Sequence, residues 1–314
     1  MIYIKWEKLG RIFVPQDNNL NYAKSPQAMV FDDYVRVYFC PCKQDGQRVK
    51  CYVAYADFTK DFKTMINFSK DVISDGALGC YDEHGIFPFS PVKYNDSIYA
   101  YISGCSRRKS VSVDTGIGLA ISIDKYGNKF ERLGNGPVVT SSLFEPFMVL
   151  DGFVKEYNGY LHMWYIYGTE WNVFRENEEP DRTYKIGHAK SSDGINWVKD
   201  GIQIIPDKFE YESQALPTVI YANNKYHMFF SYRHSYDFRT NSKRSYRIGY
   251  AYSKDLISWT RNDELVGIDV SDEGWDSEMM CYPNVFEMDK SIYLLYNGNE
   301  FGKHGFGIAK LIEF

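Results

Sequence analysis

The chain has 314 residues, of which 44% are apolar and 25% charged, the balance of a globular protein that buries a sizeable core. A net charge of −5 and a longest basic run of only "SRRKS" (106–110) argue against a nucleic-acid partner. No segment approaches the ~20 apolar residues of a membrane span, and the N-terminus has no signal-like stretch. We therefore expect a cytoplasmic protein without a membrane partner.

A repeated phrase divides the sequence into five units. It reads Ile-Gly-x-Ala followed by a polar turn and an aromatic residue, and its clearest copies are "YKIGHAKSSDGINW" (184–197) and "YRIGYAYSKDLISW" (246–259). The alanines of the five copies are Ala54, Ala120, Ala189, Ala251 and Ala309, with steps of 66, 69, 62 and 58 residues. A recurring period of this kind is the signature of a repeat architecture.

Each copy of the phrase is preceded by two predicted strands. The second of these is an apolar run: "YVRVYFC" (34–40), "SIYAYISG" (97–104), "YLHMWYIYG" (160–168), "KYHMFFSY" (225–232) or "SIYLLYNG" (291–298). Such β-branched and aromatic runs, bounded by Asn, Asp or Gly, are typical of strands. The first strand follows a proline: Pro26, Pro88, Pro217 or Pro283, with Gly152 near that place in the third unit. The polar segments 169–183 and 233–245 are predicted to be long loops between the second and third strands of units three and four.

A fourth strand follows the alanine in each unit except the last. Its copies include "KFERLGNGPVV", "INWVKDGIQII" and "ISWTRNDELVG", and the missing copy appears at the N-terminus as "IKWEKLGRIFV" (4–14). The sequence thus predicts an all-β fold, a five-bladed β-propeller with four antiparallel strands per blade and a ring closed by the N-terminal strand. We expect one domain over 1–314. A pair of β-sandwiches is the alternative, but it does not explain five similar periods or the displaced strand.

Aromatic residues at matched repeat positions are predicted to be structural. Trp6, Trp197 and Trp259 recur at one position of the fourth strand, so we expect them in the core between blades. His162 and His227 occupy matched places in second strands and are also expected to be structural.

Acidic residues cluster just before the proline positions, where the innermost strands of a propeller converge on one mouth of its channel. Glu83, Glu212 and Glu278 each lie five residues before their proline, and Asp82, Asp276, Glu210, Glu145 and Asp151 lie nearby. Carboxylates that share a pocket have divergent pKa values, as the acid and base of glycoside hydrolysis require. The alternatives are solvated turn residues and a calcium site. No contiguous calcium loop is present, so we predict no metal and no cofactor.

The sequence therefore predicts a set of site residues. The predicted catalytic residues are Asp82, Glu212 and Glu278, with Asp276 tuning them. The predicted substrate-binding residues are Glu83, His84, Glu145, Asp151, Arg233, Arg247, Trp275, Asn297 and Asn299. Guanidinium groups could clamp an anionic substrate group, and Trp275, Tyr81 and Trp171 could stack on a sugar ring. Each also has a structural alternative, such as backbone hydrogen bonding for His84 or a tight turn for the two asparagines.

The six cysteines point to neither disulfides nor zinc. Four lie in the first third of the sequence and none form a CxxC pair. In a cytosolic protein of this size we expect them to be reduced.

The segments "YDEHGIFP", "YRIGYAYS", "GWDSEMMCYP" and "YNGN" resemble a bacterial group of glycosidase-like propellers related to glycoside hydrolase families 43, 32 and 130. The resemblance covers nearly the whole sequence. It implies a five-bladed propeller and a carbohydrate-active site. Families 32 and 43 carry a first-blade aspartate as base or nucleophile, whereas this protein has "NYAKSPQ" there, with Lys24, Ser25 and Gln27. The family triad consists of a first-blade Asp, a second-blade Asp and a third-blade Glu. The resemblance matches Asp82 to the second of these and Glu145 to the third.

Three functional hypotheses follow. The first is a glycoside hydrolase-like enzyme that cleaves or transfers a glycosyl group of a saccharide substrate in a central acidic pocket. The second is a saccharide-binding propeller without turnover, motivated by the missing first-blade carboxylate. The third, implied by the family-130 resemblance, is a phosphorylase or transferase in polysaccharide biosynthesis, in which Arg and Lys bind phosphate. The sequence does not predict an oligomeric state.

Overall fold

Five four-stranded antiparallel sheets form the fold in the computed structural model, which describes residues 4–176 and 178–314. The first strand, β1 (Lys5–Phe13), belongs to the last sheet. Blade one contains β2 (Lys24–Val30), β3 (Val35–Cys40), β6 (Ala54–Phe58) and β7 (Met65–Ser69), with the hairpin β4 (Cys42–Asp45) and β5 (Arg48–Cys51) inserted between its second and third strands. Blade two contains β8 (Ile86–Tyr94), β9 (Ser97–Arg107), β10 (Val113–Ser122) and β11 (Phe130–Arg132).

The remaining blades repeat this order. Blade three contains β12 (Phe147–Tyr157), β13 (Tyr160–Asn172), β14 (Asp181–Ser191) and β15 (Val198–Lys199). Blade four contains β16 (Glu212–Ala222), β17 (Lys225–His234), β18 (Arg247–Ser253) and β19 (Trp259–Arg261). Blade five contains β20 (Cys281–Met288), β21 (Ser291–Asn297), β22 (Phe306–Glu313) and β1. A single helical turn, α1 (Asn299–Gly302), follows β21. None of the helices in the described part of the protein has the length and apolar character needed to cross a bilayer.

The N-terminal strand closes the ring, as the sequence predicts. β1 pairs antiparallel with β22, from Lys5 opposite Glu313 to Phe13 opposite Phe306. It thereby supplies the fourth strand of blade five and covers an edge that would otherwise be free to pair with another polypeptide. The five-bladed, all-β architecture is confirmed.

Every innermost strand carries a bulge at the predicted proline or glycine position. The pairing register shifts beside Pro26, Pro88, Gly152, Pro217 and Pro283. A proline has no N–H to donate to the ladder, so a bulge is one of the few places where a strand accepts it. The preceding residues Ser25, Asp151, Leu216 and Tyr282 have φ of 53°, 60°, 42° and 57°. Non-glycine residues adopt this left-handed conformation at a cost, which the surrounding contacts must offset.

The bulges also join neighbouring blades through hydrogen bonds. The N–H of Asp151 donates to Ser103 Oγ of blade two at 3.0 Å, and the N–H of Tyr282 donates to Ser231 Oγ of blade four at 2.8 Å. The N–H of Ser25 donates to Asn297 Oδ1 of blade five at 2.7 Å. Asn297, predicted to bind substrate, therefore holds blade one to blade five.

The repeated tryptophans pack between blades, as predicted. Trp6 of blade five lies edge-on to Phe229 of blade four, with ring centroids 5.4 Å apart. Trp197 contacts Tyr101 of blade two at 5.5 Å, and Trp259 contacts Trp164 of blade three at 6.4 Å. The two predicted structural histidines also make internal contacts: His162 stacks on His188, and His227 hydrogen-bonds Tyr250.

The expectation of six reduced cysteines is wrong for two of them. Cys42 and Cys51 form a disulfide across the β4–β5 hairpin, where the strand register places them opposite each other with Cα atoms 4.0 Å apart. Their spacing along the sequence does not reveal this pairing, because the hairpin is an insertion in the repeat. Disulfides are uncommon in reducing compartments. The cytoplasmic location therefore stays a prediction, and this bond does not favour it.

Candidate active site

The acids predicted from the sequence form an ion pair that is repeated within four blades. The pairs are Asp82 with Arg132, Glu145 with Lys199, Glu212 with Arg261, and Asp276 with Lys8. In each pair the acid lies just before, or begins, the innermost strand, and the base lies on the outermost strand. The oxygen–nitrogen distance is 2.6 Å for Asp82, 2.7 Å for Glu212 and 2.8 Å for Asp276. The acidic residues near the starts of the innermost strands are therefore part of the blade repeat.

The base of each pair follows a repeated aromatic residue by two positions. The aromatic residues are Phe130, Trp197, Trp259 and Trp6. Blade one has Phe68 and Lys70 at these places but no acid before its innermost strand, and Lys70 is exposed. The first-blade carboxylate that the family pattern requires is thus missing together with its repeat partner.

The structure does not bring the four predicted catalytic residues together in one pocket. Asp82, Glu212 and Asp276 are buried in their ion pairs, outside the lining of the central cavity. Burial raises the pKa of Glu212, and Arg261 opposes this shift. Glu278 is exposed and lines a separate cavity. The catalytic roles of these four residues stay predictions, but their contacts favour structural roles for the three buried ones.

The central cavity has a volume of about 330 Å³ and is lined by all five blades. Its charged groups among the described residues are Lys24 of blade one, Asp151 and Arg182 of blade three, and Arg233 and Arg239 of blade four. The expectation of an acidic pocket is therefore wrong, since the described lining contains four cationic side chains and one carboxyl group. The remaining wall includes His84, Phe87, Tyr184, Phe238, Tyr246, Tyr282 and Phe301.

Asp151 enters the cavity because of the bulge in β12. Its side chain is 3% exposed, and its Oδ2 accepts a hydrogen bond from the Leu216 N–H at 3.1 Å. Its Oδ1 has no partner among the described residues. Burial raises the pKa of Asp151 to about 7, against the opposing effects of the Leu216 N–H and Arg182. A carboxyl group in this state can donate a proton near neutral pH.

The arginines of the cavity are held by aromatic and hydroxyl groups. Arg233 donates through Nη2 to the Tyr184 hydroxyl at 2.9 Å, and its guanidinium lies 3.5 Å from the centre of the Phe238 ring. Arg182 donates through Nη1 to Ser112 Oγ at 3.1 Å. The Nε atoms of both arginines lack a hydrogen-bond partner among the described residues. Buried polar atoms without a protein partner are rare in folded proteins and are usually satisfied by ordered water or a ligand.

The remaining candidates are distributed around this cavity. His84 lines it, and its Nδ1 lies 3.2 Å from the Glu83 carboxylate, which also accepts from the Gly79 N–H. Arg247 lies outside, where it donates to the backbone oxygens of Tyr246 and Glu278.

Trp275 and Asn299 shape the neighbouring loop. Trp275 stacks on Tyr296, with ring centroids 5.2 Å apart, and a Cβ added at Gly298 would lie 2.3 Å from the Trp275 carbonyl oxygen. Asn299 accepts from the N–H groups of Glu278 and Met279. Within the described residues, no group of three or more His, Cys, Asp or Glu side chains could hold a metal ion.

Several lining residues do not follow from the sequence pattern. Phe87 and Tyr282 stand immediately before Pro88 and Pro283, whereas the acidic pattern favours the position five residues before each proline. Asp151, predicted only to bind substrate, stands in the same place before Gly152. A prediction based on the residue directly before the proline or glycine of each first strand would have identified these three, because a bulge redirects the side chain of that residue.

Three further lining residues come from segments outside the repeat. Phe238 and Arg239 belong to the second of the two predicted long loops. Arg182 lies at the end of the first of these segments, which the structure assigns to the start of β14. No repeated phrase marks these positions.

The fold is the one seen in solved five-bladed propellers of glycoside hydrolases. The structure named "Glycoside hydrolase" superposes with a TM-score of 0.76 at 18% identity, over 98% of this protein and 92% of the other. A complex of BT0996 with RGII superposes with a TM-score of 0.75 at 17% identity, over 98% and 92%. A structure described as "The GH130 family of mannoside phosphorylases contains glycoside hydrolases that target beta-1,2 mannosidic linkages in Candida mannan" matches with a TM-score of 0.68 at 13% identity, over 98% and 94%. At these identities the likeness shows the fold alone, and it confirms the resemblance predicted from the sequence.

Two curated relatives share more of the sequence. They are the Mycobacterium tuberculosis proteins called uncharacterized protein MT1551, from strain CDC 1551 / Oshkosh, and uncharacterized protein Rv1502, from strain ATCC 25618 / H37Rv. Each is 31% identical over 313 residues, which cover 98% of this protein and 99% of the relative. This protein belongs to the family of these two proteins. No protein-family model matches the sequence.

Proposed function

We propose that this protein is a carbohydrate-active enzyme that transfers a glycosyl group to phosphate in the central cavity. Asp151 is the proton donor, and Lys24, Arg182, Arg233 and Arg239 hold the anion. The observation that carries the proposal is this single buried carboxyl group among four cationic side chains. The glycoside hydrolase fold, and a neighbour solved as a complex with RGII, support a saccharide as substrate.

The charge of the cavity favours phosphate over water as the attacking group. Guanidinium groups match the geometry of phosphate oxygens, and burial lowers the pKa of Lys24 and Arg239, an effect that a bound anion would reverse. Hydrolysis of a glycoside normally needs a second carboxylate as base or nucleophile. The cavity lining, as far as the structure describes it, offers only Asp151.

The proposed reaction moves the glycosyl group from the leaving oxygen to a phosphate oxygen. A phosphate oxygen attacks the anomeric carbon, and the bond to the leaving oxygen breaks with its electron pair on that oxygen. Asp151 then supplies the proton that makes the leaving group an alcohol. The products are a glycosyl phosphate and a shortened saccharide, and the reverse reaction would extend a saccharide.

The experiment is an incubation of the purified protein with a panel of oligosaccharides and aryl glycosides, with and without phosphate, followed by proton and phosphorus NMR. We expect a new anomeric signal coupled to phosphorus in the presence of phosphate and no product without it. Asp151→Asn should abolish the signal, whereas Glu131→Gln, a change at an exposed residue of β11, should not.

Other outcomes would redirect the assignment. Product without phosphate would identify a hydrolase and contradict the role of the cations. Saccharide binding without product under any condition would support the non-catalytic alternative.

A further inference from the structure

A second cavity, of about 480 Å³, adjoins the central one. The two share Phe238, Arg239 and Phe301 as a common wall. Most of the second cavity is formed by the long loop of blade four and by the turn that contains α1 in blade five. Each cavity is within the size range of small-molecule sites in proteins.

The chemistry of the second cavity differs from that of the first. Its wall carries the hydroxyl groups of Tyr22, Thr240, Ser242 and Ser245 and the carboxylates of Glu278 and Glu300. Glu300 is paired with Lys303, but the Glu278 carboxylate accepts no hydrogen bond from any residue that the structure describes. Hydroxyl groups and an available carboxylate beside aromatic rings suit a neutral ligand rich in hydroxyl groups.

The shared wall is held in a defined geometry. Glu300 and Phe301 both have left-handed backbone conformations, with φ of 55° and 57°. The Phe301 ring lies edge-on to Phe238, with centroids 5.9 Å apart. Asn299 fixes the segment that bears Glu278 by accepting from the N–H groups of Glu278 and Met279 at 2.8 and 3.1 Å. Asn299 is thus a positioning residue for the second cavity.

We infer that the second cavity is a saccharide subsite, which binds a neutral sugar unit joined to the unit in the central cavity. This inference rests on the proposed function and extends it. The bond that joins the two units would pass the wall formed by Phe238, Arg239 and Phe301. The preferred substrate is then a disaccharide or longer saccharide, with its neutral unit against Ser242 and Glu278.

The test measures binding and does not depend on turnover. Maltose, cellobiose, mannobiose, xylobiose and their monosaccharides are titrated calorimetrically into the phosphate-free protein. We expect at least one disaccharide to bind ten-fold or more tightly than its monosaccharide. Ser242→Trp and Thr240→Trp, which place an indole in the second cavity, should remove most of this advantage. Lys243→Trp, on the same exposed loop but outside the cavity wall, should retain it.

The outcomes separate this inference from the proposed function. A disaccharide advantage that is lost in Ser242→Trp, without turnover in phosphate, would support the subsite and contradict the phosphorylase. Turnover in phosphate with the same kcat/KM in Ser242→Trp as in the wild type would support the phosphorylase and contradict the subsite. Equal affinities for disaccharides and monosaccharides across the panel would overturn the subsite.

Discussion

In each blade one residue directly precedes the proline or glycine of the bulge. Asp151 is the one carboxyl group among these five residues, and it lines the central cavity. The equivalent positions hold Ser25, Phe87, Leu216 and Tyr282. Asp151 is held at both ends, because its N–H donates to Ser103 and its Oδ2 accepts from the Leu216 N–H. A residue fixed by two neighbouring blades, with its other oxygen unpartnered among the described residues, has the preorganisation that proton transfer requires.

The pH dependence of turnover tests the role of Asp151. A proton donor must be protonated, and the pKa of this carboxyl group is raised to about 7. We expect kcat/KM to fall roughly ten-fold for each pH unit above about 7, as measured by initial rates of glycosyl phosphate formation. A rate that instead rises through this range would identify Asp151 as a base.

The difference in stability between the wild type and Asp151→Asn should depend on pH. Because the pKa is raised on folding, the ionised form is disfavoured in the folded protein, and stability falls as pH rises from about 3.8 to about 7. The gap between these values corresponds to roughly 4 kcal/mol. Asp151→Asn avoids this cost, so its stability relative to the wild type should be higher at pH 8 than at pH 5. Chemical denaturation at both pH values measures the difference, and equal values would contradict a buried ionisable Asp151.

At the scale of the structural element, the repeated ion pair links the approach to the innermost strand with the outermost strand of the same blade. Asp82 shows the arrangement clearly, since its Oδ2 accepts from Arg132 Nε at 2.7 Å and the carboxylate is 1% exposed. Removing one partner of a buried pair leaves the other charge without compensation. The ion pair shared by four blades therefore accounts for these acidic residues as structural groups, without a catalytic role.

This explanation predicts that Asp82→Asn affects stability and not turnover. We expect the free energy of unfolding to fall by about 3 kcal/mol, because the partly buried Arg132 loses its counter-charge and keeps only its contacts with Ser74. The kcat of the folded protein should stay within about two-fold of the wild type. Glu278→Gln is the matched control for stability, since Glu278 is exposed and its loss should change the unfolding free energy by less than about 0.5 kcal/mol. A stable Asp82→Asn protein with little activity would restore the catalytic role predicted from the sequence.

At the scale of the whole molecule, the ring is held by strand pairing within blade five and by bulge contacts at four of the five junctions between blades. β1 joins β22 to complete blade five, while the bulge N–H groups of Ser25, Asp151, Leu216 and Tyr282 each donate to a side chain of the preceding blade. The contacts that position the cavity residues are thus the same contacts that join the blades. A change that opens the ring should disturb the cavity as well as the fold.

The sequence predicted the blades better than the cavity, for a physical reason. Strand alternation and the sequence phrase repeated five times are local patterns, so the number of blades and the position of β1 in the last blade could be predicted from them. The cavity depends on where each bulge aims one side chain and on inserted segments that follow no repeat, such as those carrying Arg182 and Arg239. The ion pairs join residues as far apart as Lys8 and Asp276, which no local pattern connects.

Circular permutation provides the test of ring closure. Because Lys5 lies opposite Glu313, a short Gly/Ser linker from residue 314 to residue 1 would form an ordinary hairpin between β22 and β1. New termini between Asp17 and Asn18, in the turn after β1, would then place all four strands of blade five in sequence order.

We expect this permutant to unfold within about 5 °C of the wild type, since no strand pairing is lost. Deletion of residues 1–14, in contrast, removes the buried Trp6 and Phe13 and exposes the edge of β22, so the product should aggregate or lose its cooperative transition. Thermal unfolding followed by circular dichroism compares the three proteins. A stable, monomeric deletion protein would show that β1 is dispensable and that the ring does not need closure by strand pairing.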